Sequence, residues 1–259
     1  HFGFGHNGYA TTFFLAVILT SLGLTALALL MREPEPPTVR PRASVLSRLK
    51  DSWPLLKEDA NFRRFMIAQL LSTAGRTAAP FYILSVARVA PLDGHVQGLT
   101  SLVFLGADTA TNLAWGYSGD RFGFRSTFIT SLILWIGATA LLIAAPLLPA
   151  IHAFGWTFTG LVWVMISFFG LGAAQSGQMM SSSTMVLEFG TRDEMALRLA
   201  LTQTAQGLTF AVGPLIGGAI KDLFGFNPVF ILSIVFLTAG LTILTFFVKE
   251  PRHLKPAEV

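Results

Sequence analysis

The sequence predicts an all-α integral membrane bundle, and three observations predict it. First, the 259-residue chain is 53% hydrophobic and only 12% charged. An average soluble domain carries about 25% charged residues, so most of this surface faces something other than water. Second, seven apolar stretches follow one another, each close to the ~20 residues that cross the hydrocarbon core of a bilayer. Third, the basic residues sort by loop. Arg32, Arg40, Arg42, Arg48, Lys50, Lys57, Arg63, Arg64, Arg121, Arg125, Arg192, Arg198, Lys249, Arg252 and Lys255 fall on one side, and only Arg88 and Lys221 on the other. That asymmetry marks the first side as cytoplasmic, with the C-terminus inside and the chain multi-pass in the plasma (cell) membrane. It also argues against a nucleic-acid partner, because the net charge of +4 is not gathered on one solvated face.

The elements follow in order. The first span is Tyr9–Met31. It is not a signal peptide, because no basic region precedes it and Arg32 and Glu33 follow directly. The chain would start outside at His1, with neither an initiator Met nor an export signal. We therefore expect earlier spans to precede it. Residues 32–61 form a cytoplasmic linker that opens with Glu33-Pro34-Glu35-Pro36-Pro37, a stiff extended stretch. Ser44 then caps a short helix with Val45, Leu46, Leu49, Trp53 and Leu56 on one face. That helix lies on the inner membrane surface or packs as an ordinary loop helix. Residues 62–259 form a block of six spans: Phe62–Ala87, Val96–Gly119, Ser126–Pro149, Trp156–Ser181, Arg198–Ile220 and Asn227–Val248. Gly75 and Pro80 are expected to break or bend the first of these. The runs lack the period-two alternation of a porin-like barrel. They also lack the polar faces of soluble helices.

Two ionisable residues lie deep within spans, where such groups are rare and usually functional. Arg76 is twelve residues from both Arg64 and Arg88, roughly 18 Å from either end at 1.5 Å per residue. Asp108 is twelve residues before Asp120 and thirteen after His95, at a similar depth. The two are expected to meet near the midplane, as a substrate or proton site or as an ion pair locking two helices. Gln69 and Thr73 share the helix face of Arg76, and Asn112 that of Asp108. Gln175 with Gln178, and Gln203 with Gln206, form a second polar layer. These amides line a cavity or hydrogen-bond between helices.

After the third span comes Gly116-Tyr-Ser-Gly119-Asp120-Arg121-Phe-Gly123-Phe-Arg125. It resembles the cytoplasmic signature G-x-x-x-D-R-x-G-R-R of the major facilitator superfamily, with Phe124 standing where the family often has a basic residue. Arg32-Glu33-Pro34 and Glu250-Pro251-Arg252 resemble the exits of that family's sixth and twelfth helices. Lys57 to Phe65 is similar to the start of its seventh, and Gly213-Pro214-Leu-Ile-Gly217-Gly218 to its eleventh. The resemblance implies a chain covering the family's sixth to twelfth helices: one helix, then a six-helix half-bundle whose partner is the N-terminal half of the same protein. It implies secondary active transport of a small solute by alternating access, coupled to a proton or other gradient. Gly116, Asp120, Arg121, Gly123 and Arg125 would serve the gate. Close helix approach at Gly116 and Gly119 suits that role, and so does an acidic residue placed to pair with a base or cap a neighbouring helix. The simpler reading is a tight turn with topogenic charges. Proton coupling would fall to Asp108. Substrate contacts would fall to Arg76, Asn112, Gln69, Gln175, Gln203 and Gln206.

Other classes fit poorly. There is no Cys, so no disulfide or thiolate metal site exists. There is no H-E-x-x-H, G-x-S-x-G or nucleotide-binding motif, so we expect neither an enzyme nor a cofactor. The alternatives are a seven-helix receptor-like protein or a non-transporting membrane scaffold. Against the receptor, the last span has no Lys before Lys249, and the longest inner loop follows the first span.

Overall fold

The computed structural model describes residues 8–31, 54–149, 151–153, 156–158, 160–190 and 194–251. The chain divides into two units, residues 1–44 and 45–259. The first contains α1 (Gly8–Leu30), whose Phe13–Leu30 stretch carries no charged residue. The expected linker helix after Ser44 lies outside the described residues, apart from a helical turn at 54–58.

The second unit is built from α2 (Ala60–Arg76), α3 (Ala79–Ser85), α4 (Gly94–Phe122), α5 (Phe124–Ala144), α6 (Leu161–Glu188), α7 (Met195–Phe224) and α8 (Phe226–Phe246). Three-ten turns at Val86–Arg88 and Ala145–Leu147 extend α3 and α5. The span starting at Phe62 is broken as expected. Helix α2 stops at Arg76, and α3 restarts with Pro80 in its first turn, where the missing N–H is harmless. The span expected from Trp156 begins later, at Leu161. Before it, β1 (Ile151–Ala153) and β2 (Trp156–Phe158) pair antiparallel, with His152 opposite Thr157. A Trp-Thr-Phe run suits a strand, and apolar content alone did not separate it from the helix.

Among the described residues, four helices are long and apolar enough to cross a membrane: α1, α5 with its terminal turn, α7 and α8. Helices α4 and α6 have 29 and 28 residues, roughly 43 Å at 1.5 Å rise, and their polar residues lower their hydropathy. Helix α6 packs most extensively on α5 and α4, and α2 on α8, while α5 also meets α8. Among the long helices of this unit, α7 contacts its neighbours most sparsely, and its buried residues are Arg198, Thr202 and Gly217.

One end of the core is an aromatic cluster. Phe189 lies 5.1 Å from Phe65 and 5.5 Å from Phe62 between ring centroids. Toward the other, Tyr82 packs at 5.2 Å from Phe230. The α4–α5 and α7–α8 turns share a five-residue pattern, Asp120-Arg-Phe-Gly-Phe124 and Asp222-Leu-Phe-Gly-Phe226. The central glycines, Gly123 and Gly225, have φ of 87° and 85°, which L-residues rarely adopt.

Candidate functional site

The chain breaks between α2 and α3, and Arg76 stands at that break. Arg76 is the last residue of α2, where a cation meets the negative end of the helix dipole. Its guanidinium carbon sits 5.1 Å from the Phe210 ring centroid and 6.0 Å from that of Trp135. Trp135 is held in place by a buried network. Its Nε1–H donates to the Tyr82 hydroxyl at 3.1 Å, Tyr82 lies 3.0 Å from the Thr139 hydroxyl, and the Ser233 hydroxyl donates to the Gly75 carbonyl at 2.6 Å. That last bond fixes the residue just before Arg76 against α8.

Two cavities meet at Arg76. The smaller, about 250 Å³, is lined by Gln69 and Arg76 from α2, Gln175, Ser182 and Ser183 from α6, and Thr202, Gln203, Gln206 and Phe210 from α7. The larger, about 510 Å³, is mostly apolar, with Tyr82, Phe104, Leu105, Trp135 and Phe168 in its wall. Arg76, Gln175 and Phe210 line both. Five residues singled out from sequence, Gln69, Arg76, Gln175, Gln203 and Gln206, therefore face one space. Gln178 does not; it is buried in the core, and its Oε1 has no hydrogen-bond partner.

The expected pairing of Arg76 with Asp108 is not made: among the described residues no carboxylate lies within ion-pair distance of Arg76. Asp108 stands at i+4 from Phe104 and i+7 from Ser101, both in the wall of the larger cavity, so it shares that face of α4 one turn further along. Asn112 stays beside it, with its Nδ2 donating to the Asp108 carbonyl at 3.0 Å and its Oδ1 accepting from the Ser176 hydroxyl at 2.8 Å. Depth along an axis was readable from sequence, but the rotation of each helix about its axis was not.

The signature lies where α4 turns into α5. Gly119 lies directly against the Phe124 ring. Gly116 has open space where a Cβ would project, so the close approach expected there occurs at Gly119 alone. Asp120 is exposed at the end of α4. Arg121 donates to the Tyr117 hydroxyl at 2.6 Å and lies over the rings of Tyr117 and Phe122. Arg125 reaches the end of α8, donating to the carbonyls of Leu244 and Thr245. In return, the Glu250 carboxylate accepts the Arg125 backbone N–H at 3.2 Å. Each helix end thus receives the charge its dipole favours. A Cβ on Gly123 would stand 2.7 Å from that carboxylate.

The same end carries two further ties. Asn61 and the Lys249 backbone exchange two hydrogen bonds, at 2.8 and 3.1 Å. Arg198, buried at the start of α7, donates to Asp59 at 2.7 Å and to Glu194 at 2.9 Å, and stacks 4.6 Å from the Phe62 centroid. Asp59 also caps α2 by accepting the Phe62 N–H at 2.8 Å. Sequence reasoning singled out neither this cluster nor Trp135 or Phe210, and it read Glu250 as part of a helix exit without its partner Arg125. Of these only Phe210 left a signal, lying four residues after Gln206 and seven after Gln203 on the same stripe.

No curated protein matches the chain. The profile of the Major Facilitator Superfamily matches residues 65–259, three quarters of the chain. The match spans the broken helix, the cavity, the Gly119–Arg125 turn and the α8 terminus described above. Members of this family are transmembrane transporters, which accords with the apolar helices. The chain is a multi-pass, all-α membrane protein and belongs to the Major Facilitator Superfamily.

Proposed function

We propose that this protein moves a small solute across the plasma membrane by gradient-driven alternating access, with the cavity at Arg76 as the substrate site. The observation that carries the reading is the polar cavity lined by Gln69, Arg76, Gln175, Gln203 and Gln206. An unpaired cation in an apolar bundle costs several kcal/mol, about 2.5–3.5 on insertion scales. A fold retains such a group where a ligand or water uses it. Secondary transporters place their sites near the midplane, at discontinuous helices, and the α2–α3 break beside Arg76 fits that pattern.

Alternation needs contacts that form and release at the ends of the bundle. The Arg125–Glu250 junction and the Arg198 cluster supply them at one end, with Gly116, Asp120, Arg121 and Gly123 in the same gate. Helix α7, the long helix with the sparsest contacts to its neighbours, is the element that moves. Asp108, on the cavity-facing side of α4, is the coupling carboxylate, with a proton as the coupled ion and Asn112 beside it. The N-terminal half of the same protein supplies the opposite wall. The Lys/Arg bias puts the C-terminus in the cytoplasm.

Reconstitution into proteoliposomes with an imposed pH gradient, followed by uptake from a mixed pool of labelled solutes, tests this reading. Replacing Gln203 and Gln206 together with Leu should reduce uptake of any solute carried by the wild type at least tenfold. Undiminished uptake would show that the path runs elsewhere.

A further inference from the structure

The cavity at Arg76 has a charge preference written into its lining. Among the described residues, neither the smaller nor the larger chamber has an Asp or Glu in its wall, and Arg76 has no carboxylate within ion-pair distance. The Nε of Arg76 is fully enclosed and makes no hydrogen bond. The rings of Trp135 and Phe210 flank the guanidinium. They offer it the faces of two π systems, but they carry no net charge to neutralise it. The remaining polar groups in the smaller chamber are amides and hydroxyls, which donate to an anion as readily as they accept. The Oε1 of buried Gln69 is also without a partner, so the amide hydrogen bonding of this wall is incomplete.

We infer that the site takes an amphipathic organic monoanion, a carboxylate with a ring or short hydrocarbon body. This rests on the reading of the cavity as the substrate site. The carboxylate pairs with Arg76, whose planar fork matches it in a bidentate fashion, and the glutamine amides donate to its outer lone pairs. The apolar body extends past Trp135 into the chamber walled by Tyr82, Phe104, Leu105 and Phe168. The combined space suits such a molecule, since small-ligand pockets run from about 300 to 1,000 Å³. Organic cations are rejected, because the site offers them a positive charge and no Asp or Glu in its wall. Neutral molecules of the same shape leave Arg76 unpaired and bind less tightly.

The test uses the full-length protein in nanodiscs of phosphatidylcholine alone, so that no anionic lipid competes. Phenylacetate, benzoate and hexanoate are titrated against their own amides and against benzylamine. Binding is read by intrinsic tryptophan fluorescence, to which Trp135 contributes, and by thermal shift. At least one carboxylate should bind tenfold or more tighter than its amide, and benzylamine should not bind. Arg76→Gln should erase that tenfold difference by weakening the carboxylate alone, with Arg76→Lys intermediate. If every carboxylate and amide pair binds wild type equally, or if benzylamine binds best, the assignment is overturned. That comparison needs no variant, so it stands even if Arg76→Gln fails to fold. If adding phosphatidylglycerol to the discs displaces the carboxylate in proportion to its content, the site reads a lipid headgroup, and the soluble-substrate assignment is overturned. Arg76-dependent carboxylate binding without uptake in proteoliposomes would refute the transport reading and leave the ligand class standing. Uptake of a solute through the cavity that is indifferent to its charge would do the reverse.

Discussion

Replacing Arg198 with Met tests whether one buried guanidinium anchors α7 to the rest of the bundle. Met keeps much of the apolar stem and removes the charge. The Arg198 side chain is 5% exposed, and its partners Asp59 and Glu194 are 27% and 41% exposed. A hydrogen bond to a charged group contributes about 1.5–3 kcal/mol when desolvated, and the Asp59 bond at 2.7 Å belongs in that range, at roughly 2 kcal/mol. Glu194 is screened by solvent and sits four residues away on the same helix, so it adds only about 0.5 kcal/mol. The stacking on Phe62 adds about 1 kcal/mol. The expected loss is therefore roughly 3–4 kcal/mol. It should be measured as a reduced free energy of unfolding in mixed micelles containing a graded denaturing detergent. Asp59→Asn isolates the ion pair, because Asn remains a good cap for α2. A double-mutant cycle between the two should give a coupling of about 1.5–2 kcal/mol. An Arg198→Met loss below 1 kcal/mol, or a coupling indistinguishable from zero, would refute the reasoning and leave α7 anchored by packing alone.

Three further predictions follow from the same geometry. Gly123→Ala places a Cβ at φ 87° and ψ 150° against the Glu250 carboxylate. Backbone strain of roughly 1–3 kcal/mol, plus the displaced bond to Arg125, should lower the unfolding midpoint clearly, whereas Gly116→Ala, with open space around it, should leave it unchanged. Asp120→Asn should leave expression and thermal stability near wild type while reducing uptake, read from initial rates in proteoliposomes; wild-type rates would remove Asp120 from the gate. Asp108→Asn should flatten the dependence of uptake on an imposed pH gradient while uptake down the solute's own gradient continues. An unaltered gradient dependence would assign coupling to another group.

The legibility of this protein in its sequence varied with the range of the information. Glutamine stripes illustrate what carries through. Gln203 and Gln206 share a face because a helix has 3.6 residues per turn, and that same face reaches the cavity. The α2–α3 break was legible because Gly75 and Pro80 act on their own backbone. Asp108 illustrates the opposite case. Its depth followed from counting residues, yet its partner did not, because a helix can turn about its axis without changing its sequence. The strand at Trp156–Phe158 was missed because aromatic and β-branched residues serve lipid-facing helices and strands alike.

The sequence by itself determined that the chain is a membrane bundle and which polar and charged residues interrupt its apolar runs. These follow from local hydropathy, helical period and the cost of burying charge, all of which act within one segment. Only the tertiary structure decided that Arg76 lies against Trp135 and Phe210 with, among the described residues, no carboxylate within ion-pair distance, that Glu250 meets Arg125, and that Arg198 meets Asp59. Those partners are separated by 125 and 139 residues in the last two cases. Their meeting depends on which helices pack together and at what rotation. That arrangement comes from the fit of the whole set of helix faces and is written in no single one of them.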